Sequence, residues 1–219
     1  MRITFLLPRY AWYPSGGFIV VYRYASELVA RGHDVTVIHA RLLPPGGWPS
    51  ASGVRGRLRR GASRARDLLM RPSIAWASID PRVRLLHVPR LTERHVPDAD
   101  ALVATWWSTM EAALELPATK GVPHHLIQGY EVWHGNKERV DAVWRAPVAK
   151  IVIARWLQEL GRDLGVPDPL MTHIPNAIDV DTFRVISPVE TRPRRVAMLY
   201  AASEFKGGAA GVEILQRAR

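Results

Sequence analysis

Arg2-Ile-Thr-Phe-Leu-Leu-Pro8, the pair Gly16-Gly17, and Arg31-Gly-His-Asp-Val-Thr-Val-Ile-His39 together decide the fold class. The first run is almost continuously apolar, as expected of a parallel strand buried on both faces. The paired glycines predict the opening of a helix over Phe18 to Arg31, whose core face carries Val21, Ala25, Leu28 and Val29. Gly32 is placed to end that helix in a left-handed conformation. Val35-Thr-Val-Ile-His39 then reads as a second strand. Strand, glycine loop, helix and strand in this order form a βαβ unit.

The alternation continues. Strands are expected at Val83–Val88, Ala101–Thr105, Val122–Ile127, Lys150–Ala154 and Leu170–Ile174. Helices are expected after Trp106-Trp107-Ser108-Thr109 through Leu116, over Lys137–Trp144 and over Arg155–Leu164. Such alternation predicts an α/β protein with a Rossmann-like open parallel sheet and helices on both faces. After Leu170-Met-Thr-His-Ile174, Pro175 stops the strand, and Asn176, Asp179 and Asp181 suit side-chain bonds to nearby amides. The chain is therefore divided into a domain at 1–184, a linker at 185–195, and a strand (Val196–Tyr200) and helix of a second Rossmann-like unit at 196–219.

Composition narrows the function classes. The chain has 219 residues, no Cys and a formal charge of +10, and 47% of it is hydrophobic. Disulfides and thiolate metal sites are excluded. No apolar run approaches the ~20 residues of a membrane span, and the expected location is the cytoplasm. Much of the positive excess lies in Arg55–Arg71, where Val54, Leu58, Ala62, Ala65 and Leu69 recur at helical spacing. A solvated face explains such a helix. The functional alternative is a peripheral contact with the anionic inner face of the plasma membrane. Nucleic acid is disfavoured, because no aromatic residues interleave the arginines and no known module is present.

Ligands of open α/β sheets bind at the carboxyl ends of the strands. That rule selects the loops 9–17, 105–109, 128–136 and 176–181. Gly16 and Gly17 at a helix start let amides approach an anion. Trp106, Trp107 and Trp133 offer aromatic faces to a sugar ring, although buried Trp commonly just packs. Glu131 is the evident carboxylate nearby, either a solvated acid or a binder of a ligand hydroxyl. His33, His124, His125 and His173 show no metal spacing and are read as turn, core or edge residues. NAD is disfavoured, since two adjacent glycines replace G-x-G-x-x-G and His39 stands where an acid is needed.

Four stretches carry a family resemblance. "IPNAIDVDTF" (174–183) is similar to the I-P-N-G-[IV]-D-x-x-x-F signature of family 4 retaining glycosyltransferases, which have the GT-B fold; Ala177 replaces the glycine. "GGFIVVYRYASELVARGHDVTVI" (16–38) resembles the family's opening, and "LIQGYEVWHG" (126–135) a rhamnosyltransferase-like branch with Gln in place of a sugar-contacting His. "VAMLYAASEFKGGAAGVEILQRAR" (196–219) looks like the first strand and helix of the family's nucleotide-binding domain. The resemblance implies a retaining transfer from a nucleotide-diphosphate sugar to a saccharide or lipid-linked acceptor, with no separate cofactor and no metal. It implies catalytic roles for Gln128 and Glu131, and donor-phosphate binding by Gly16, Gly17, Lys206 and Gly207. Sugar or acceptor contacts fall to Trp106, Trp107, Tyr130 and Trp133, and a hinge to Asn176 and Asp179. The Arg expected before Lys206 is Tyr200 here. The family continues beyond the equivalent of Arg219, so the chain is expected to be a fragment that is inactive alone. The alternatives are a GT-B sugar-nucleotide epimerase and a non-catalytic module that binds through Arg55–Arg71.

Overall fold

The computed structural model describes residues 1–41, 61–62, 65–67, 69–70, 72–132, 136–191, 193, 195–198 and 207–217. Among them, seven strands form one parallel sheet: β1 (Arg2–Leu7), β2 (Asp34–Ala40), β3 (Arg84–Val88), β4 (Ala101–Ala104), β5 (Val122–Ile127), β6 (Ala149–Val152) and β7 (Met171–His173). Their spatial order is β3-β2-β1-β4-β5-β6-β7. Ile3 is paired with Val35 of β2 on one side and with Ala101 of β4 on the other. The chain winds outward from β1 to β3, returns to β1's free side, and winds outward again. The reversal makes a topological switch point between β1 and β4.

Alternation along the strands sorts side chains onto two faces. Ile3, Phe5 and Leu7 of β1 and Val35 and Val37 of β2 pack against Phe18, Val21, Tyr22, Ala25 and Val29 of α1 (Gly16–Ala30). On the opposite face, Leu6, Ile38, Leu102, Ala104, Ile127 and Val152 meet α2 (Trp107–Leu114), α3 (Lys137–Arg145) and α4 (Arg155–Asp163). Trp107 and Trp144 are the largest side chains there that are fully buried. Truncating either to Ala would cost about 3–5 kcal/mol. Gly32 has φ 85° and its N–H donates to Val29 O at 2.9 Å, so it terminates α1 as its sequence position predicts.

The remaining expectations fare unevenly. Strand and helix limits shift by one or two residues, and Gly16 and Gly17 lie inside α1 rather than before it. Val196–Met198 form no strand and are mostly exposed, so the start of the expected second sheet is not seen; 199–206 lie outside the described residues. Of the basic segment, the described residues 61, 62, 65–67 and 69 are helical, and the rest lies outside the description. The chain separates into two compact units, Met1–Asn176 and Ala177–Arg219. The second contains α5 (Gly208–Arg217), where Gly211 approaches Met198 closely. Among the described residues no helix is long and apolar enough to cross a membrane.

Candidate functional site

The carboxyl rim of the first unit is built around the start of α1. Ser15 is its N-cap but makes no side-chain cap bond, and no acid occupies the first turn. The Ser15 carbonyl takes the N–H groups of Phe18 and Ile19. The Gly16 and Gly17 amides therefore stand at the positive end of a helix that neither Ser15 nor a first-turn acid caps, an environment that favours negative charge. A Cβ on Gly16 would meet nothing within 4 Å. At Gly17 it would meet the Gln128 carboxamide at 3.4–3.6 Å.

Gln128 follows β5 and donates from Nε2 to the Gly17 carbonyl at 3.2 Å. A carbonyl only accepts, so the carboxamide nitrogen must face it, and Oε1 remains to accept from another group. Two loops separated by 111 residues in sequence thus close on one point. At the switch point, Thr105 Oγ1 donates to the Leu6 carbonyl at 2.9 Å and ties the end of β4 to β1.

Three residues after Gln128 comes Glu131, which is 8% exposed and not a solvated loop acid. Its Oε2 accepts the Trp107 N–H at 3.3 Å, in the first turn of α2. A helix start favours a carboxylate, but burial dominates and pushes the Glu131 carboxyl from its usual range up to about 8. At neutral pH this group is mostly protonated and can donate a hydrogen bond. The α2 start itself is held by Thr109, whose Oγ1 accepts from Thr105 N and Trp106 N at 3.2 and 3.0 Å.

Among the expected aromatic contacts, Trp107 is 1% exposed, with the Arg139 guanidinium 4.6 Å from its ring centroid. It packs in the core and presents no open face to a sugar. Arg139 is itself fixed by a two-pronged bond to Glu111 at 2.9 and 2.6 Å. Trp106 is half-buried at the rim. Tyr130 turns toward α3, where its hydroxyl donates to Asp141 Oδ1 at 2.7 Å. Burial and that bond push the Tyr130 hydroxyl up. Burial also opposes ionisation of Asp141, but Lys137 and Tyr130 outweigh it and hold the acid below its usual range.

Trp133 and Lys206 lie outside the described residues, and Gly207 has φ 65° in the second unit. Asn176 ends the first unit. In the second, Asp179 Oδ1 accepts from the amides of Asp181 and Thr182, both at 3.1 Å, so it fixes its turn as its residue type predicts. Ala177 needs no glycine-like freedom, because no described non-glycine residue has positive φ.

Two features of the rim escape the sequence reading. His39 at the end of β2 is fully buried; its Nδ1 is 2.9 Å from the Arg9 carbonyl and its Nε2 3.1 Å from Tyr22 Oη. Its ring stacks on His87 at 5.1 Å, because the register places the two histidines side by side in β2 and β3. A shared strand-end position was the available signal. The other feature is a clasp: Trp12 Nε1 donates to Asp67 Oδ1 at 2.6 Å, and the Arg66 guanidinium covers the Trp12 ring at 4.1 Å. No group of three or more metal-ligating side chains occurs among the described residues.

No family model matches the chain, and comparison with curated proteins finds no match.

Proposed function

We propose that this chain is the acceptor-side part of a retaining GT-B glycosyltransferase that uses a nucleotide-diphosphate sugar. The observation that carries the reading is the Gln128–Gly17 contact, which joins the β5 loop to an uncapped helix start on the carboxyl rim of a parallel sheet. The resemblance of 16–38, 126–135 and 174–183 to family 4 enzymes supports it independently. In this reading the Gly16 and Gly17 amides hold the donor diphosphate. The bond from the sugar's anomeric carbon to the diphosphate breaks, and an acceptor hydroxyl bonds that carbon on the same face. The hydroxyl proton passes to the departing diphosphate oxygen, so no protein base is required. Catalysis is then positioning plus stabilisation of the leaving charge. Gln128 orients the sugar through its Oε1, and Glu131 binds an acceptor hydroxyl as a neutral acid. Trp106 retains the sugar-stacking role. The acceptor is a saccharide or a lipid-linked glycan, reached at the inner face of the membrane.

Thermal unfolding with a panel of nucleoside diphosphates tests the proposal. Protection of the wild type that is weakened by Gly17→Val is expected. Absence of protection by every diphosphate sinks it, and vesicle or DNA binding without a nucleotide response favours the non-catalytic module.

A further inference from the structure

We infer that a cavity of about 260 Å³ at the carboxyl ends of β1, β2 and β3 binds a phosphate monoester carrying an apolar substituent. Its walls come from four separate segments. Tyr10 lies just past β1, Arg41 follows β2, and His87 and Pro89 mark the end of β3. Asp67, Leu69 and Met70 close the remaining side. The volume is below the ~300–1,000 Å³ of sites for drug-sized ligands, which suits a headgroup rather than a nucleotide sugar.

The charge is set by Arg41. Its N–H donates to the Val88 carbonyl at 2.9 Å, which fixes the root of the side chain, and no carboxylate pairs with its guanidinium among the described residues. The lining acid, Asp67, already accepts from Trp12 at 2.6 Å and is paired with Arg66 at 3.3 Å. One positive charge therefore lines the cavity with no carboxylate opposing it among the described residues. A planar guanidinium fork matches two phosphate oxygens.

The cavity is also lined by packed rings. His87 stacks on His39 at 5.1 Å with 15° between the ring planes, and the Tyr10 ring meets His87 edge-on at 4.9 Å. The apolar requirement comes from other lining residues. Leu69 and Met70 are 86% and 58% exposed, and with Pro89 they form an uncovered apolar lip next to the cation. An anionic head with a hydrocarbon stem satisfies both halves at once.

The site stands apart from the proposed transferase chemistry, since nucleoside diphosphates report on Gly17 and hexyl phosphate reports on Arg41. Calorimetry on the intact chain would compare inorganic phosphate, hexyl phosphate and hexyl glucoside. Hexyl phosphate is expected to bind at least about tenfold tighter than inorganic phosphate, from burial of its stem. Arg41→Gln should weaken both phosphates about tenfold, and Leu69→Ser with Met70→Ser should erase only the advantage of the stem. Arg41→Lys, which keeps the charge but not the fork, should fall between. Vesicles containing phosphatidic acid separate the sources. Arg41-dependent vesicle binding assigns a lipid headgroup, and Arg41-dependent binding of hexyl phosphate alone assigns a soluble ester. Hexyl phosphate binding that is absent in the folded wild type, unchanged in Arg41→Gln, or matched by hexyl glucoside overturns the inference.

Discussion

The Gln128 carboxamide lies over Gly17, with Nε2 3.2 Å from the Gly17 carbonyl. The contact makes the β5 loop a lever on the start of α1. Gln128→Ala removes one donor and should cost about 1 kcal/mol of stability. Gln128→Glu is the sharper variant, because an ionised carboxylate cannot donate to a carbonyl and sets a negative charge beside the proposed diphosphate contact. Its affinity for a nucleoside diphosphate should fall below that of Gln128→Ala. Calorimetric titration of the two variants side by side measures this, and equal affinity for Gln128→Glu and wild type removes Gln128 from the site.

Glu131 gives the fold a pH dependence of defined sign. Its folded-state value, about 8, lies above the ordinary 4.5, so the native state holds a proton that the unfolded chain releases. Its contribution is complete below pH ~4.5, declines as pH rises, and has fallen by roughly 3 kcal/mol at pH 7. Glu131→Gln keeps the shape and cannot ionise. The variant should equal wild type near pH 5 and be more stable at pH 8 by chemical denaturation. Parallel curves for the two proteins would show that the carboxyl is not desolvated.

How far the sequence could be read follows from which interactions are local. The β1–α1–β2 unit was legible because apolar continuity, paired glycines and Gly32 all act within a few residues. The pairing of β4 with β1 was not, since nothing in Ala101–Thr105 records its neighbour. The site divided along the same line. Gly16, Gly17 and Gln128 stand out in the sequence by their places at strand ends, and the fold brings Gln128 to Gly17. Whether Trp107 offers a face or packs is not legible locally, because its burial comes from core partners distant in sequence, with Arg139 of α3 over its ring. Asp141, the partner of Tyr130 and Lys137, is one of five charged residues on α3, and only packing distinguishes it.

The glycines separate three kinds of backbone constraint. Gly121 has φ 104°, and an added Cβ would sit 2.9 Å from the Ala101 backbone. Gly121→Ala combines strain with a clash that no side chain can relieve, so a loss of about 2–4 kcal/mol is expected. Gly165 has φ 83° with nothing within 4 Å, and Gly165→Ala should cost only the strain, about 1–2 kcal/mol. Gly16 has neither problem, and Gly16→Ala should change stability by less than about 1 kcal/mol. Urea denaturation ranks the three. An order other than Gly121, Gly165, Gly16 would contradict the local geometry.

Acid should unfold the protein through two buried imidazoles that differ in what they hold. His39 Nδ1 faces a carbonyl and so carries the proton, leaving Nε2 to accept from Tyr22. Burial lowers this ring to about 4. His125 is lowered to about 3, first by burial and then by Lys150, its register partner in β6. Both stay neutral in the native state where the unfolded chain takes up protons. Their contribution is complete above pH ~6.5 and is lost as pH falls toward 4 and 3, at a slope approaching two protons. Glu131 works the other way above 4.5, so these groups together place a stability maximum near pH 6.5. The variants should split. His125 Nδ1 has no hydrogen-bond partner and Lys150 Nζ keeps the carbonyls of Ala146 and Val148, so His125→Leu should flatten the acid limb by one proton at little cost near pH 7. His39→Leu also flattens it, but strands the Tyr22 hydroxyl and the Arg9 carbonyl and should cost about 1–3 kcal/mol at pH 7. Equal losses for the two variants at pH 7 would mean that the His39 bonds do not hold the rim together.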